Sequence, residues 1–204
     1  LEVFLQHHQT SLPWEHQSLL KASLVAGSTQ KIWRKQINTQ LMNVNKIWNP
    51  PEELAELILQ MRKRKELEIA KETQGVKNLK EGKGGLLDIE YLVQYFQLKH
   101  LHHLPQLQTP QTLHALELLK QYGLLEEEDA KLLKDAYQFL MQLDSYLRLL
   151  FNAPLYRVEF SKIDQELLKE LFLKRRVAIE NLEEYYHDMT SKVRALFHQY
   201  FNPA

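Results

Sequence analysis

The chain contains no cysteine, which excludes a disulfide framework, a thiolate metal site and a thiol nucleophile. A reducing compartment fits this absence, and the cytoplasm is the expected location. Net charge is also missing: 26 Lys and Arg balance 26 Asp and Glu, so no global field is available to hold a polyanion and nucleic acid is not an expected partner. No apolar run approaches the roughly 18 residues of a membrane helix, and no basic region followed by an apolar stretch opens the chain, so no membrane association is expected. Strand-like alternation is lacking at any length comparable to the helical patterns. What is present, 204 residues with 44% hydrophobic content, suits an ordinary globular domain. The start at Leu1, without an initiator Met, raises the expectation of a piece of something longer.

Glycine is scarce, and its distribution organises the chain. Gly75, Gly82, Gly84 and Gly85 crowd one eleven-residue stretch, while Gly27 and Gly123 stand alone. Long helices are the consequence. From Asp129 to Phe151, Leu132, Leu133, Ala136, Phe139, Leu140, Leu143, Leu147 and Leu150 recur at the three- and four-residue steps of one helix face. Capping chemistry marks starts at Asn49-Pro50, at Thr109-Pro110 and at Ser161 with Asp164. Gly27, Gly75, Gly123 and Asn152-Ala153-Pro154 mark stops. Helices are expected at 13–26, 29–42, 51–73, 86–102, 110–122 and 127–151, with two more between 162 and 201. The fold class is therefore all-α, an antiparallel bundle of about seven to eight helices. Residues 1–74 are expected as an N-terminal helical arm, 75–85 as a flexible linker, and 86–204 as the main bundle.

Lys83-Gly84-Gly85 before Leu86-Leu87-Asp88-Ile89-Glu90 is the most informative stretch. Small residues let a backbone approach a ligand, and the helix behind them offers N–H groups and a positive dipole end. An ordinary linker before a helix start reads the same residues without a ligand. In that helix Glu90, Gln94 and Gln97 fall within about 60° of each other, a polar stripe needing water, another helix or a docked domain as partner. Asp88 points away from it and favours the helix N-terminus electrostatically. Trp14-Glu15-His16 at a helix start offers His16 as a general base, but the sequence sets no nucleophile beside it; the structural alternative makes Trp14 a core anchor and Glu15 a helix-end charge. His100, His102 and His103 lack the cysteines and carboxylates of a zinc site, so no metal is expected. The basic run Arg62 to Lys65, followed by Glu66 and Glu68, reads as a solvated face.

Trp14-Glu15-His16-Gln17 with Val25-Ala26-Gly27, then Gly84-Gly85-Leu86-Leu87-Asp88-Ile89-Glu90-Tyr91-Leu92-Val93-Gln94-Tyr95, then Ala136-Tyr137-Gln138-Phe139-Leu140 with Leu143-Asp144, together resemble the glutamine synthetase adenylyltransferase/deadenylylase family of bacteria. The likeness runs to about Arg148 and is greatest to the helical domain that follows a nucleotidyltransferase domain, in the C-terminal half of such enzymes. It implies a parent enzyme that moves AMP from Mg-ATP onto glutamine synthetase, or removes it, under control of a PII-type signal protein.

The Gly-Ser-x-Asp-x-Asp sequence that would hold the metal ions of such chemistry does not occur, since Gly27-Ser28 is followed by Thr29-Gln30. The resemblance thus implies an accessory chain without catalytic residues, inactive alone and packed on an upstream catalytic domain. Lys83, Gly84, Gly85, Asp88, Glu90 and Gln94 are its candidates for nucleotide or interface contact, with Trp14, Glu15, His16 and Lys21 as secondary candidates. Arg stands in the family where Lys21 and Ser23 stand here, which removes a bidentate fork from the first helix. An alternative is a docking module for glutamine synthetase or a PII-type regulator, anchored by Trp33, Trp48, Tyr156 or Tyr185.

Overall fold

Seven α-helices hold most of the described residues in a computed structural model of the chain, which describes residues 6–7, 11–22, 36, 39, 43, 48–73, 75–152, 156–174 and 178–201. They are α1 (Pro13–Lys21), α2 (Leu54–Lys65), α3 (Leu86–His100), α4 (Thr112–Gln121), α5 (Glu127–Phe151), α6 (Gln165–Lys174) and α7 (Leu182–Phe201). Two two-residue strands, β1 (Lys77–Asn78) and β2 (Arg157–Val158), pair antiparallel with Lys77 opposite Val158. The all-α expectation holds. The helix expected at 29–42 and the Gly27 stop lie outside the described residues.

The chain divides into two compact units, Leu1–Gln60 with Tyr91–Ala130 and Met61–Glu90 with Lys131–Ala204. The divisions fall inside α2, α3 and α5. Residues 75–85, expected as a flexible linker, lie inside the second unit, where Asn78, Leu79, Glu81, Gly82, Gly84 and Gly85 are buried.

Helix ends follow local chemistry. Asp164 Oδ1 accepts the Leu167 N–H at 3.0 Å and opens α6, so Asp164 is the cap and Ser161 is not. Asn181 Oδ1 accepts the N–H groups of Glu183 and Glu184 and opens α7. Gly123, at φ +67°, closes α4 in the left-handed cap that its position predicts, and Asn152 at φ 47° closes α5. Gly75 plays no such part. The stretch after α2 continues as a π-helical segment, Glu66–Ala70, and Lys71 takes the left-handed conformation at φ 45°.

In the first unit α1 buries Pro13, His16, Gln17 and Leu20, the i, i+3, i+4, i+7 set. Trp14 is one position off that stripe and 47% exposed, so it does not anchor a core. In the second unit α5 buries Leu133, Ala136, Phe139, Leu140, Leu143 and Leu147, as the periodicity predicts. Leu150, placed on the same face by spacing, is exposed at the helix end. Phe172 of α6 is fully buried with its ring 5.3 Å from that of Phe139.

Candidate functional site

The turn leading into α3 is built by side chains that close backbone groups. Asn78 Oδ1 accepts the N–H groups of Lys80 and Glu81 at 3.0 and 2.8 Å, and Glu72 Oε1 accepts the Asn78 N–H at 2.9 Å. Gly84 sits at φ +70°, and a Cβ there would lie 1.8 Å from the Thr190 carbonyl oxygen of α7. Only glycine lets this turn and α7 approach so closely.

The turn spends the amides of Gly84, Gly85 and the start of α3 on its own acceptors. The N–H groups of Leu86, Leu87 and Asp88 donate to the carbonyls of Leu79, Lys80 and Gly85, each at 3.0 Å. Gly85 N–H donates to the Gly82 carbonyl at 3.1 Å, and Gly84 N–H donates to Asp88 Oδ2 at 2.7 Å. Within the anion-binding geometry expected at Lys83-Gly84-Gly85, the Gly84 and Gly85 amides are therefore filled by one of the chain's own carboxylates and one of its own carbonyls.

Asp88 is the centre of the site. It is fully buried and ion-paired with Arg62 Nε, itself 1% exposed. Arg194 Nη1 donates to Asp88 Oδ2 at 3.1 Å, and Arg194 Nη2 reaches Glu66 Oε2 at 2.9 Å. Arg62 Nη2 donates to the Gly82 carbonyl at 2.7 Å, and Lys83 Nζ lies 4.0 Å from Glu66 Oε1. Three cations thus meet two carboxylates, and at the buried Asp88 and Arg62 a lone charge would be costly. Asp88 does more than favour a helix end: it ties α2, the turn and α7 together.

The other candidates separate. Glu90 accepts the Tyr137 hydroxyl at 3.1 Å in the second unit. Gln94 belongs to the first unit and accepts Gln17 Nε2 at 2.9 Å, while Gln97 Nε2 donates to the carbonyls of Leu107 and Thr109. The polar stripe is therefore partnered within the chain. Glu15 Oε2 accepts the Leu12 N–H at 2.9 Å, confirming a helix-end role, and Lys21 Nζ donates to Thr112 Oγ1 at 2.8 Å. His16 is fully buried, stacked on Trp48 at 4.0 Å, with Nε2 2.9 Å from Ser11 Oγ. His102 and His103 meet edge to face, and no metal-holding cluster occurs among the described residues. No helix among those residues is long and apolar enough to cross a membrane.

Sequence reasoning missed Arg62, Glu66 and Arg194. The first was read as one of four solvated cations, although it stands four residues after Ile58 and eight after Leu54, on the buried stripe of α2. Arg194 follows Tyr186 and Thr190 at four-residue steps on the buried side of α7. A charge in phase with an apolar stripe was the available signal.

Beside the ion cluster lies a cavity of about 330 Å³ whose lining includes Glu72, Lys77, Lys83, Tyr186, Ser191 and Arg194. Burial, and secondarily the Glu72 carboxylate, push the Tyr186 hydroxyl well above its ordinary pKa, so it stays protonated.

The class that the fold defines is an all-α chain with an internal charged clasp. Residues 52–201 match the GlnD PII-uridylyltransferase family model. The bifunctional glutamine synthetase adenylyltransferase/adenylyl-removing enzyme of Leifsonia xyli subsp. xyli is 31% identical over 94% of this chain and 19% of its own length. That of Nitrosococcus oceani is 29% identical over 83% of this chain and 16% of its own, and that of Mycobacterium leprae is 36% identical over 63% and 13%. The chain belongs to the glutamine synthetase adenylyltransferase and PII-uridylyltransferase family. It spans less than a fifth of the length of these relatives.

Proposed function

We propose that the chain is a helical accessory domain of a glutamine synthetase adenylyltransferase-like nucleotidyltransferase, packing on the catalytic domain and helping to position nucleotide or protein substrate. The observation that carries this reading is the family match over residues 52–201 in a sequence without the Gly-Ser-x-Asp-x-Asp metal-holding pattern. Glutamine synthetase is then the protein substrate, and a PII-type protein a regulator of the parent enzyme.

Mg-ATP, the co-substrate implied for such a parent, meets no backbone cradle in the Gly84-Gly85 turn, whose N–H groups are already used. The Lys83 ammonium, 68% exposed, is the contact that this turn offers to a nucleotide bound on the catalytic domain. Asp88, Arg62 and Arg194 keep the turn in place beneath it, while Glu90 and Gln94 serve the chain's internal packing.

In the complete enzyme, Lys83→Ala is expected to weaken nucleotide affinity by about 1.5–3 kcal/mol, the worth of one charge-assisted contact. Thermal stability should stay within about 0.5 kcal/mol of the parent, as for an exposed side chain. Unchanged affinity would remove Lys83 from the nucleotide, and ATP-dependent labelling of glutamine synthetase by the 204-residue chain alone would overturn the accessory reading.

A docking role without nucleotide contact finds little support in the rings first considered for it. Trp48 is buried, Tyr156 has its ring against the cations of Lys80 and Arg148, Tyr185 packs edge to face on Phe139, and Trp33 lies outside the described residues. Its better support is the exposed apolar end of α5, where Leu149 is 79% exposed.

A further inference from the structure

We propose that the cavity between the 77–83 turn and α7 is a binding site for a phosphoryl oxyanion, held by Lys77, Lys83, Tyr186 and Ser191. Its lining is dominated by donors. Lys77 has no ionic or hydrogen-bonding side-chain partner among the described residues, and neither does the Ser191 hydroxyl. Tyr186 is 2% exposed, lines the cavity and likewise has no hydrogen-bond partner for its hydroxyl there. Its ring is buried while its oxygen stays accessible at the open cavity, where a ligand oxygen can accept its proton.

The kind of anion follows from which charges are already engaged. Arg194 is the arginine of the lining, and both of its terminal nitrogens are on Asp88 and Glu66. Its planar fork is therefore not offered to a carboxylate ligand. The Lys77 ammonium is uncommitted and that of Lys83 stands 4.0 Å from Glu66 Oε1; both are point charges, joined by hydroxyl donors from α7, which suit the several oxygens of a tetrahedral phosphoryl group. Glu72, the lining carboxylate, already accepts the Asn78 N–H. The volume, about 330 Å³, is at the small end of ligand sites and admits a phosphate or the terminal phosphates of a nucleotide.

The surrounding backbone is shaped for this cavity. The π-helical segment Glu66–Ala70 and the left-handed Lys71 deliver Glu72 to its wall, and irregularities of this kind concentrate at functional sites. The inference deepens the accessory reading through Lys83, which both share, but it is tested on the chain alone.

The 204-residue chain would be titrated by calorimetry with inorganic phosphate, pyrophosphate, magnesium-free ATP and, as a carboxylate control, acetate, all at constant ionic strength. Saturable binding of at least one phosphoryl compound and none of acetate is expected. Saturation by phosphate itself identifies a free anion as sufficient, and saturation by ATP alone assigns the terminal phosphates of a nucleotide. Lys77→Ala should weaken binding about tenfold or more, and Ser191→Ala and Tyr186→Phe by smaller factors, with the ligand-free melting temperature of the Lys77 and Ser191 variants unchanged. No saturable phosphoryl binding, equal binding of acetate, or affinity indifferent to all three substitutions would each overturn the proposal. Because Lys83→Ala in the complete enzyme tests the accessory reading separately, either idea can fail while the other stands.

Discussion

The two units handle buried polarity in different ways. In the first, neutral amides meet neutral partners: Gln17 donates to Gln94, and Gln97 donates to two loop carbonyls. In the second, formal charges meet, with Arg62 and Arg194 on Asp88 and Arg194 on Glu66. The neutral amides close mostly on one another and on backbone, with Gln17 Oε1 left over and no formal charge among them. A charged cluster of unequal sign ends at the surface with a cation and hydroxyls unspent, and here that edge is the cavity of Lys77, Lys83 and Tyr186. Architecture accounts for the first arrangement, whereas the second adds a place for a ligand.

The sharpest test of this contrast removes the centre of the charged cluster. Asp88→Ala leaves Arg62, 1% exposed, and the partly buried Arg194 without their shared carboxylate, and the Gly84 N–H without its acceptor. Breaking a buried ion pair from one side typically costs about 3–5 kcal/mol, so a loss of this size is expected in urea denaturation of the chain. A loss below about 1 kcal/mol would mean that water or rearrangement solvates the arginines and that the clasp is not what holds the turn.

The neutral cluster should respond less. Gln97→Met keeps the length of the side chain but removes the donor shared by the Leu107 and Thr109 carbonyls, so about 1–3 kcal/mol should be lost. If this substitution proved as costly as Asp88→Ala, the distinction between the two kinds of polar interior would collapse.

Local signals revealed much of the fold and only the outline of the site. The apolar stripe of α5 and the left-handed Gly123 depend on neighbours a few residues away, which a sequence displays directly. Asp88 depends on Arg62, 26 residues before it, and on Arg194, 106 residues after it. No periodicity carries such a pairing, so Arg62 passed for a member of a solvated run. The turn at Lys83-Gly84-Gly85 was recognisable as special, yet its purpose was not, because amides that look available in a sequence are filled by Leu79, Lys80 and Asp88 once the chain is folded. Trp14 shows the same limit in reverse: a large ring suggests a core, but its position one step off the α1 stripe leaves it in water.

The smallest expected effect concerns pH and isolates Tyr186 at the cavity wall. Its hydroxyl is held above the ordinary value of 10.0 by burial first and by the charge of Glu72 second. In the unfolded chain the same group ionises near that ordinary value, so above about pH 10 the folded state binds more protons than the unfolded state. The sign is therefore a loss of stability as pH rises through this range, and no contribution below it. Tyr186→Phe removes the titrating group, while the other tyrosines and the lysines titrate alike in both proteins and cancel in the difference. Urea midpoints of the two proteins, compared from about pH 8 to 11, should keep a constant offset at the lower end, and the midpoint of the parent chain should fall relative to that of Tyr186→Phe toward the upper end. Parallel curves throughout would show that the phenolate is tolerated in the folded chain, and with it that the hydroxyl reaches water freely instead of facing a wall built to receive a ligand.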